Sequence, residues 1–391
     1  MDKIMQKDHE SFQEWKERLF EAKYNKEIDI TWPEMVELLG LTCHHGSLRK
    51  AAARFMGKKF KAEVAVLENM PDSILKEIEE KQRELRKERT KLQDYRREFN
   101  KFEKTEAKFE HLLEAMLDNM NNLPKLEQID KTPFISTEER EGLVLFSDWH
   151  YGAIVDNDFN VYNRDIAKQR IEKLVAKIIK YGKHNGITTL SIAQLGDIVS
   201  GQIHLTTRLF SDLDVVQQIQ EVTEILAEVI AELCKEFPQV VYYNVIGNHG
   251  RSVARKEDAA IADNFEYFVC WYLRARLKDF DNLTIIEDRA GIIATEIMGQ
   301  QIVLAHGNYE KLNTAEGLSQ MFGYVINQVY FGHYHHSYQK EIGQHTELIQ
   351  NSSLIGADEY SLQMRRISKP AQKFIIYNED GVENIYNILL K

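Results

Sequence analysis

Residues 143–152 read Leu143-Val144-Leu145-Phe146-Ser147-Asp148-Trp149-His150-Tyr151-Gly152, an apolar run that stops at an acid and an imidazole two positions apart. An unbroken apolar run of this length suits a strand buried on both faces. Metal-capable side chains at its end fall where a loop begins, which is where sheets of this type collect their sites. The pattern recurs along the chain. The apolar run 188–195 leads into Gly196-Asp197, 240–246 into Gly247-Asn248-His249-Gly250, and 302–305 into His306-Gly307. A last one, through Val325, Ile326, Val329 and Tyr330, leads into Phe331-Gly332-His333-Tyr334-His335-His336. If that strand stays extended, His333 and His335 project from one side, and Gly332 allows a close backbone approach.

Amphipathic helices near 165–183 and 215–237 separate the first three runs, the alternation of an α/β domain. Shorter strands near 283–286, 292–296, 302–305, 374–377 and 384–390 predict a β-rich second half. Any single cluster is compatible with packing or hydrogen bonding. Five in one domain, each beside a glycine, are poorly explained that way. Mixed imidazole and carboxylate donors suit manganese, iron or zinc better than calcium or magnesium alone. Seven ligands are too many for one tetrahedral ion, and a carboxylate such as Asp197 can bridge two.

The chain has 391 residues, enough for more than one unit, and its 43% apolar content supports an ordinary core. No stretch nears the ~18 consecutive apolar residues of a membrane span, and residues 1–8 are too charged for a signal peptide. Three widely spaced cysteines offer no disulfide framework. A soluble cytoplasmic protein, with no membrane partner, is expected. The formal charge of -11 argues against a uniformly basic surface, although binding to nucleic acid depends on where the positive charge sits.

That charge is unevenly placed. Capping-box patterns start helices at Ser11 and Thr31, and a third helix is expected over 47–56 with Leu48, Ala51, Ala52 and Phe55 inward. Arg49, Lys50 and Arg54 then face outward, and 42–61 carries six basic residues and no acid. Residues 1–70 therefore read as a helical, helix-turn-helix-like module for DNA, or as a solvated helical face. Residues 71–120 form a charged helix with a seven-residue repeat through Ile78, Leu85, Leu92, Phe99, Leu113 and Met120. Tyr95, Phe102, Phe109 and Met116 lie on its companion seam. At ~1.5 Å per residue it would span about 70 Å, either as a homodimeric coiled coil or packed on its own chain, before a linker at 121–140. The α/β domain then takes 141–391.

The order Asp148-x-His150, Gly196-Asp197, Gly247-Asn248-His249, His306-Gly307, Gly332-His333-x-His335 resembles the calcineurin-like metallophosphoesterase superfamily from about residue 140 onward. The resemblance implies an α/β fold, a four-layer α/β/β/α sandwich, with two divalent cations, manganese first and iron, zinc or magnesium as alternatives. It implies Asp148, His150 and His335 on one ion, Asn248, His306 and His333 on the other, and Asp197 bridging. His249 would be catalytic, donating a proton to the leaving oxygen or steadying developing charge. The implied reaction is hydrolysis of a phosphoester by hydroxide activated at the two metals.

Two departures matter. Gly250 stands where an acidic residue usually follows the histidine, with Arg251 next as a phosphate contact. The second motif lacks the Asp-Arg-Gly continuation of protein phosphatases, which counts against a phosphoprotein substrate. The stretch Asn351-Ser352-Ser353-Leu354-Ile355-Gly356-Ala357-Asp358-Glu359-Tyr360-Ser361 is similar to phage and prophage members of the DNA repair exonuclease type. A DNA nuclease is thus the leading expectation. A phosphodiesterase or phosphatase for a small nucleotide or metabolite, and a scaffold with a fossil site, are the alternatives. His204 and Arg208 are further phosphate candidates, Trp149 and Tyr151 stand beside the ligands where base stacking or core packing could use them, and an ATPase partner is left open.

Overall fold

The computed structural model describes residues 4–68, 72–128, 139–256, 260–261, 263–287, 290–309 and 314–391. The chain divides into two units, Met1–Asn100 and Lys101–Lys391. Three helices open the first: α1 (Phe12–Tyr24), α2 (Trp32–Leu38) and α3 (His45–Glu68). Ser11 and Thr31 cap α1 and α2 with reciprocal boxes to Glu14 and Glu34. Their apolar faces meet in a small core of Trp15, Leu19, Phe20, Met35, Leu39, Leu48 and Ala52. With Leu48 and Ala52 inward, Arg49, Lys50 and Arg54 are exposed. Helix α3 runs twelve residues past the predicted end at Met56, because Gly57 in a helix interior costs only about 1 kcal/mol and the residues after it are good helix formers.

Helix α4 (Asp72–Asn122) is longer than the predicted repeat and behaves differently along its length. Leu85, Leu92, Tyr95 and Phe99 are 56–69% exposed, whereas Leu112 and Met116 are fully buried. The Phe109 ring packs tilted on Phe265 and stacked on Phe268, ring centroids 4.9 and 5.4 Å apart. The C-terminal part of α4 is thus a packed helix of the second unit, not a coiled-coil seam. The expected linker also begins as bound chain. The Pro124 carbonyl accepts from Arg276, and Lys125 pairs with Asp279 at 2.8 Å. Residues 69–71 and 129–138, which include the expected module boundary and half of the expected linker, lie outside the described residues.

The rest of the second unit follows in order as β1 (Glu141–Phe146), β2 (Val155–Asn157), β3 (Asn160–Tyr162), α5 (Arg164–Asn185), β4 (Thr189–Leu195), α6 (Leu205–Leu209), α7 (Val215–Glu236), β5 (Gln239–Val245), α8 (Tyr267–Arg276) and β6 (Leu283–Glu287). It continues with β7 (Ile292–Ile297), β8 (Gln300–Ala305), α9 (Thr314–Phe322), β9 (Gln328–Phe331), β10 (Tyr338–Ile342), β11 (Thr346–Gln350), α10 (Glu359–Gln363), β12 (Ala371–Asn378) and β13 (Gly381–Leu389). One sheet has the order β13-β12-β1-β4-β5-β6 and the other β10-β11-β9-β8-β7. Strands β1, β4, β5 and β6 are parallel, as are β8, β9 and β11. The hairpin β2–β3, the short helices and β10–β11 were not legible as elements.

The alternation of β1 shows how the layers form. Val144 and Phe146 enter a core shared with α5, α7 and α8, while Leu143 and Leu145 enter a second core with Ile302, Leu304, Tyr330 and Ile349 of the other sheet. Val303, Val329 and Phe331 on the far face of that sheet pack with Leu318 of α9. Because β1, β4 and β5 are parallel, their ends at Phe146, Leu195 and Val245 lie along one edge of their sheet.

Candidate metal centre

Three of the five ligand-bearing turns put their ligand residues in left-handed backbone geometry. Asp148, His150, Asp197, His333 and His335 all have φ between 46° and 67°, five of the eight such non-glycine residues among those described. Each conformation of this kind costs on the order of 1–3 kcal/mol, and such residues cluster where the surroundings hold them for function. This corrects the expectation for His333 and His335. Strand β9 ends at Phe331, and a left-handed turn, not the pleat of a strand, brings the two imidazoles to one side.

Close approach does the rest. A Cβ at Gly332 would stand 2.5 Å from Asp148 Oδ2, and one at Gly247 would overlap the amide and carboxylate of Asp197. The Asp148 carboxylate accepts the His333 amide at 3.0 Å. The Asp148 carbonyl accepts the amides of Leu354 and Ile355. Asn351 Nδ2 donates to the Leu145 carbonyl, and Gln372 binds both the Ser147 amide and the Ser352 carbonyl. The stretch that begins at Asn351 therefore braces the Asp148 turn from behind, helped by the buried Arg170 on the carbonyls of Leu354 and Ile355.

Among the described residues, three sets of side chains have the spacing to hold a cation: Asp148, His150 and His335; Asp197, His306 and His333; and His150, Asp197 and His249. In the first, His150 Nε2 is 3.0 Å from His335 Nε2, which is 3.6 Å from Asp148 Oδ1. In the second, His306 Nε2 lies 3.0 Å from Asn248 Oδ1, 3.1 Å from Asp197 Oδ2 and 3.2 Å from His333 Nδ1. His306 Nδ1 is 2.7 Å from the Leu195 carbonyl, so that nitrogen carries a proton and Nε2 faces the cluster. One proton cannot serve all the acceptors converging there. A divalent cation can, so the donor set fits one.

Burial sets the charges. His150 is held well below the usual imidazole range by burial and by the rings of His249 and His335. His333 is pulled down to about 3 by burial and by His306. Burial opposes charge on Asp197 and His306 too, but each outweighs it for the other. Asp197 is left well below the carboxylate range and His306 is raised to about 10. Burial raises Asp148, with His335 and His306 opposing it.

The His249 amide donates to Asp197 Oδ1 at 2.7 Å, and its Nδ1 donates to the Ser200 carbonyl at 2.8 Å, which turns Nε2 outward. Its ring packs 4.6 Å from that of His150 and 5.9 Å from that of His204. His204 is held below the imidazole range by burial, His249 and Arg251, so those three groups share one neighbourhood. Arg251 Nε is buried without a hydrogen-bond partner. Arg208 is exposed on α6, and its amide donates to the His204 carbonyl. Trp149 and Tyr151 are fully buried, and the Tyr151 hydroxyl donates to Glu221. Stacking of a base on Tyr151 is thereby excluded. Arg49, Lys50 and Arg54 belong to the first unit.

Two contributors were missed: Glu266, a buried carboxylate that accepts the amides of Ile198 and Gly247, and Asn264, which donates to the Gly247 carbonyl. Burial, then the charge of Asp197, pushes Glu266 up to about 7. Nothing local in the sequence marks either residue. A groove of about 700 Å³ between α5 and α7, floored by Ile171, Val175, Ile225 and Val229, includes none of the cluster.

No family model matches the chain. Among curated proteins it is similar to the SPbeta prophage-derived uncharacterized protein YonJ of Bacillus subtilis, 26% identical over 402 aligned positions that cover 96% of each chain. Among solved structures it is similar to a novel archaeal phosphodiesterase, with a TM-score of 0.33, 14% identity, and coverage of 64% of this chain and 99% of that one. It is also similar to wild-type Vps29 complexed with zinc from Entamoeba histolytica, with a TM-score of 0.31, 10% identity, and coverage of 64% and 99%. Likeness at this level assigns no activity.

Proposed function

We propose that this chain is a calcineurin-like metallophosphoesterase with the four-layer fold of that superfamily, and that it hydrolyses phosphodiester bonds in DNA. The observation that carries the reading is the convergence of two metal-capable sets, around Asp148 and around Asp197, with His249 against both. Asp148, His150 and His335 would hold one divalent cation, Asn248, His306 and His333 the other, and Asp197 would touch both. Manganese is the first choice for this donor set, with iron, zinc and magnesium as alternatives. When bound, two cations supply charge for the phosphate oxygens and a water acidic enough to attack.

The chain's own groups do the remainder. His249 is held by its Nδ1–H on the Ser200 carbonyl, so its outer nitrogen is free to give a proton to the leaving oxygen or to bind a developing charge. Arg251 and His204, beside it, suit a phosphate oxygen. For DNA as the polymer, the support is the exposed basic face Arg49, Lys50 and Arg54 on a capped helical module in an otherwise acidic chain. The prophage origin of the YonJ relative agrees with a role on DNA in a host cytoplasm.

The test uses the purified chain with manganese, magnesium or zinc on linear duplex, single-stranded circles and a chromogenic phosphodiester, beside Asp197→Ala and His249→Ala. Metal-dependent loss of DNA that both variants abolish or cripple is the expected result. Turnover of the dye with intact DNA would leave a small-molecule phosphodiesterase. No cleavage of anything with all three metals would leave a scaffold.

A further inference from the structure

Glu266 precedes α8 at its N-cap position but makes no side-chain capping bond to that helix. It is fully buried instead, with one carboxylate oxygen on the Ile198 amide at 2.9 Å and the other on the Gly247 amide at 2.6 Å. Ile198 directly follows Asp197, and Gly247 directly precedes Asn248. One carboxylate thus spans the two turns whose side chains meet at His306 Nε2, with Asn248 Oδ1 at 3.0 Å and Asp197 Oδ2 at 3.1 Å.

Asn264 completes the grip. Its Oδ1 accepts the Glu266 amide at 2.9 Å, and its Nδ2 donates to the Gly247 carbonyl at 2.7 Å. The Gly247 residue is therefore held through both its N–H and its C=O. The room for this bracket comes from Gly250, whose carbonyl accepts the Phe265 amide at 2.8 Å. A Cβ at Gly250 would overlap Asn264 Oδ1 and come within 2.8 Å of Glu266 Cγ. The residue after His249 lacks a side chain because another segment's acid and amide fill that space.

A carboxylate removed from water is costly unless hydrogen bonds or opposite charge compensate it, so its placement between two ligand turns asks for a use. We infer that Glu266 is a positioning residue that sets the distance between the Asp197 and Asn248 turns, and so the cation affinity of the Asp197, Asn248, His306 and His333 half of the site. The inference rests on reading that half as a metal site. Supporting groups behind metal ligands typically contribute ~10- to 100-fold in affinity.

The test is manganese titration of the full chain followed by calorimetry and by electron paramagnetic resonance, which separates a spin-coupled pair of ions from an isolated one. Glu266→Gln keeps the shape but sets an NH₂ donor against one of the two amide donors. Expected is a ~10- to 100-fold loss of affinity at one of two sites. The coupled signal should give way to that of a single ion, with only a modest fall in the melting temperature of the metal-free protein from the amide left without an acceptor. Asn264→Ser, which releases the Gly247 carbonyl and leaves the carboxylate, should weaken the same site. Two sites of unchanged affinity in folded Glu266→Gln overturn the inference alone. Equal weakening of both sites with a large drop in melting temperature also overturns it, as a general structural role. A wild-type chain that never holds a second ion defeats the underlying reading of the site instead.

Discussion

His306 Nε2 lies 3.1 Å from Asp197 Oδ2, with both side chains at most 2% exposed, while the other His306 nitrogen is held by the Leu195 carbonyl. This pair fixes the charge of the metal-free centre. The folded pKa of His306, about 10, lies above its ordinary 6.5. The stabilisation from its proton is therefore complete below pH 6.5 and is lost as pH rises through about 10. A cation must displace that proton, so in this window affinity should rise about tenfold per pH unit from this group. Nitrogen NMR of the metal-free chain at pH 8 should show His306 protonated on both nitrogens, and zinc should remove the Nε2 proton. A neutral ring at pH 8 without metal would contradict the pairing.

His249→Ala should leave metal binding within a few-fold of wild type while lowering kcat by ~10²- to 10⁴-fold, the usual range for a general acid. His249 has the spacing to share a cation with His150 and Asp197, but its Nδ1 is used on a backbone carbonyl. Loss of bound metal in this variant would make it a ligand, and unchanged turnover would remove it from the reaction.

Gly332→Ala should damage the Asp148 half of the site, because its Cβ would stand 2.5 Å from Asp148 Oδ2 and 2.8 Å from Ser147 Cβ. Overpacking of this kind costs about 1–3 kcal/mol. One metal per chain should be lost with a modest fall in melting temperature. Full occupancy of both sites would show that the turn can give way.

Arg49→Glu, Lys50→Glu and Arg54→Glu together should weaken DNA binding and lower the slope of log K against log salt by ~0.9 for each phosphate that is no longer neutralised. All three are exposed on α3, so the core of Trp15, Leu19, Met35 and Leu48 is untouched. Hydrolysis of a small chromogenic diester should not change. An unaltered salt slope would assign the face to solvent.

The exposed run Leu85, Leu92, Tyr95 and Phe99 tests self-association. Removing 71–120 would also strip Leu112 and Met116 from the core of the second unit, so point changes are the cleaner probe. Leu92→Lys with Phe99→Lys should convert a sedimenting dimer into a monomer with little loss of stability. A monomeric wild type would end the coiled-coil proposal.

What the sequence by itself determined is local chemistry. The order of apolar runs specified the parallel strands β1, β4 and β5, because strands buried on both faces leave continuous apolar text. The glycine-flanked Asp, Asn and His residues at their ends named the cluster, because a loop that brings a side chain to a shared centre needs small neighbours. Capping boxes marked α1 and α2 for the same local reason. Tertiary structure decided what depends on partners far along the chain. The left-handed turns at His333 and His335 are held by packing and not by the propensity of histidine. The C-terminal part of α4 is core because Phe265 and Phe268, about 160 residues away, receive Phe109. Glu266 and Asn264 reach the Gly247 turn from 17 to 19 residues downstream, and no periodicity or motif records that reach. Their contribution arises only when the chain between folds back on itself.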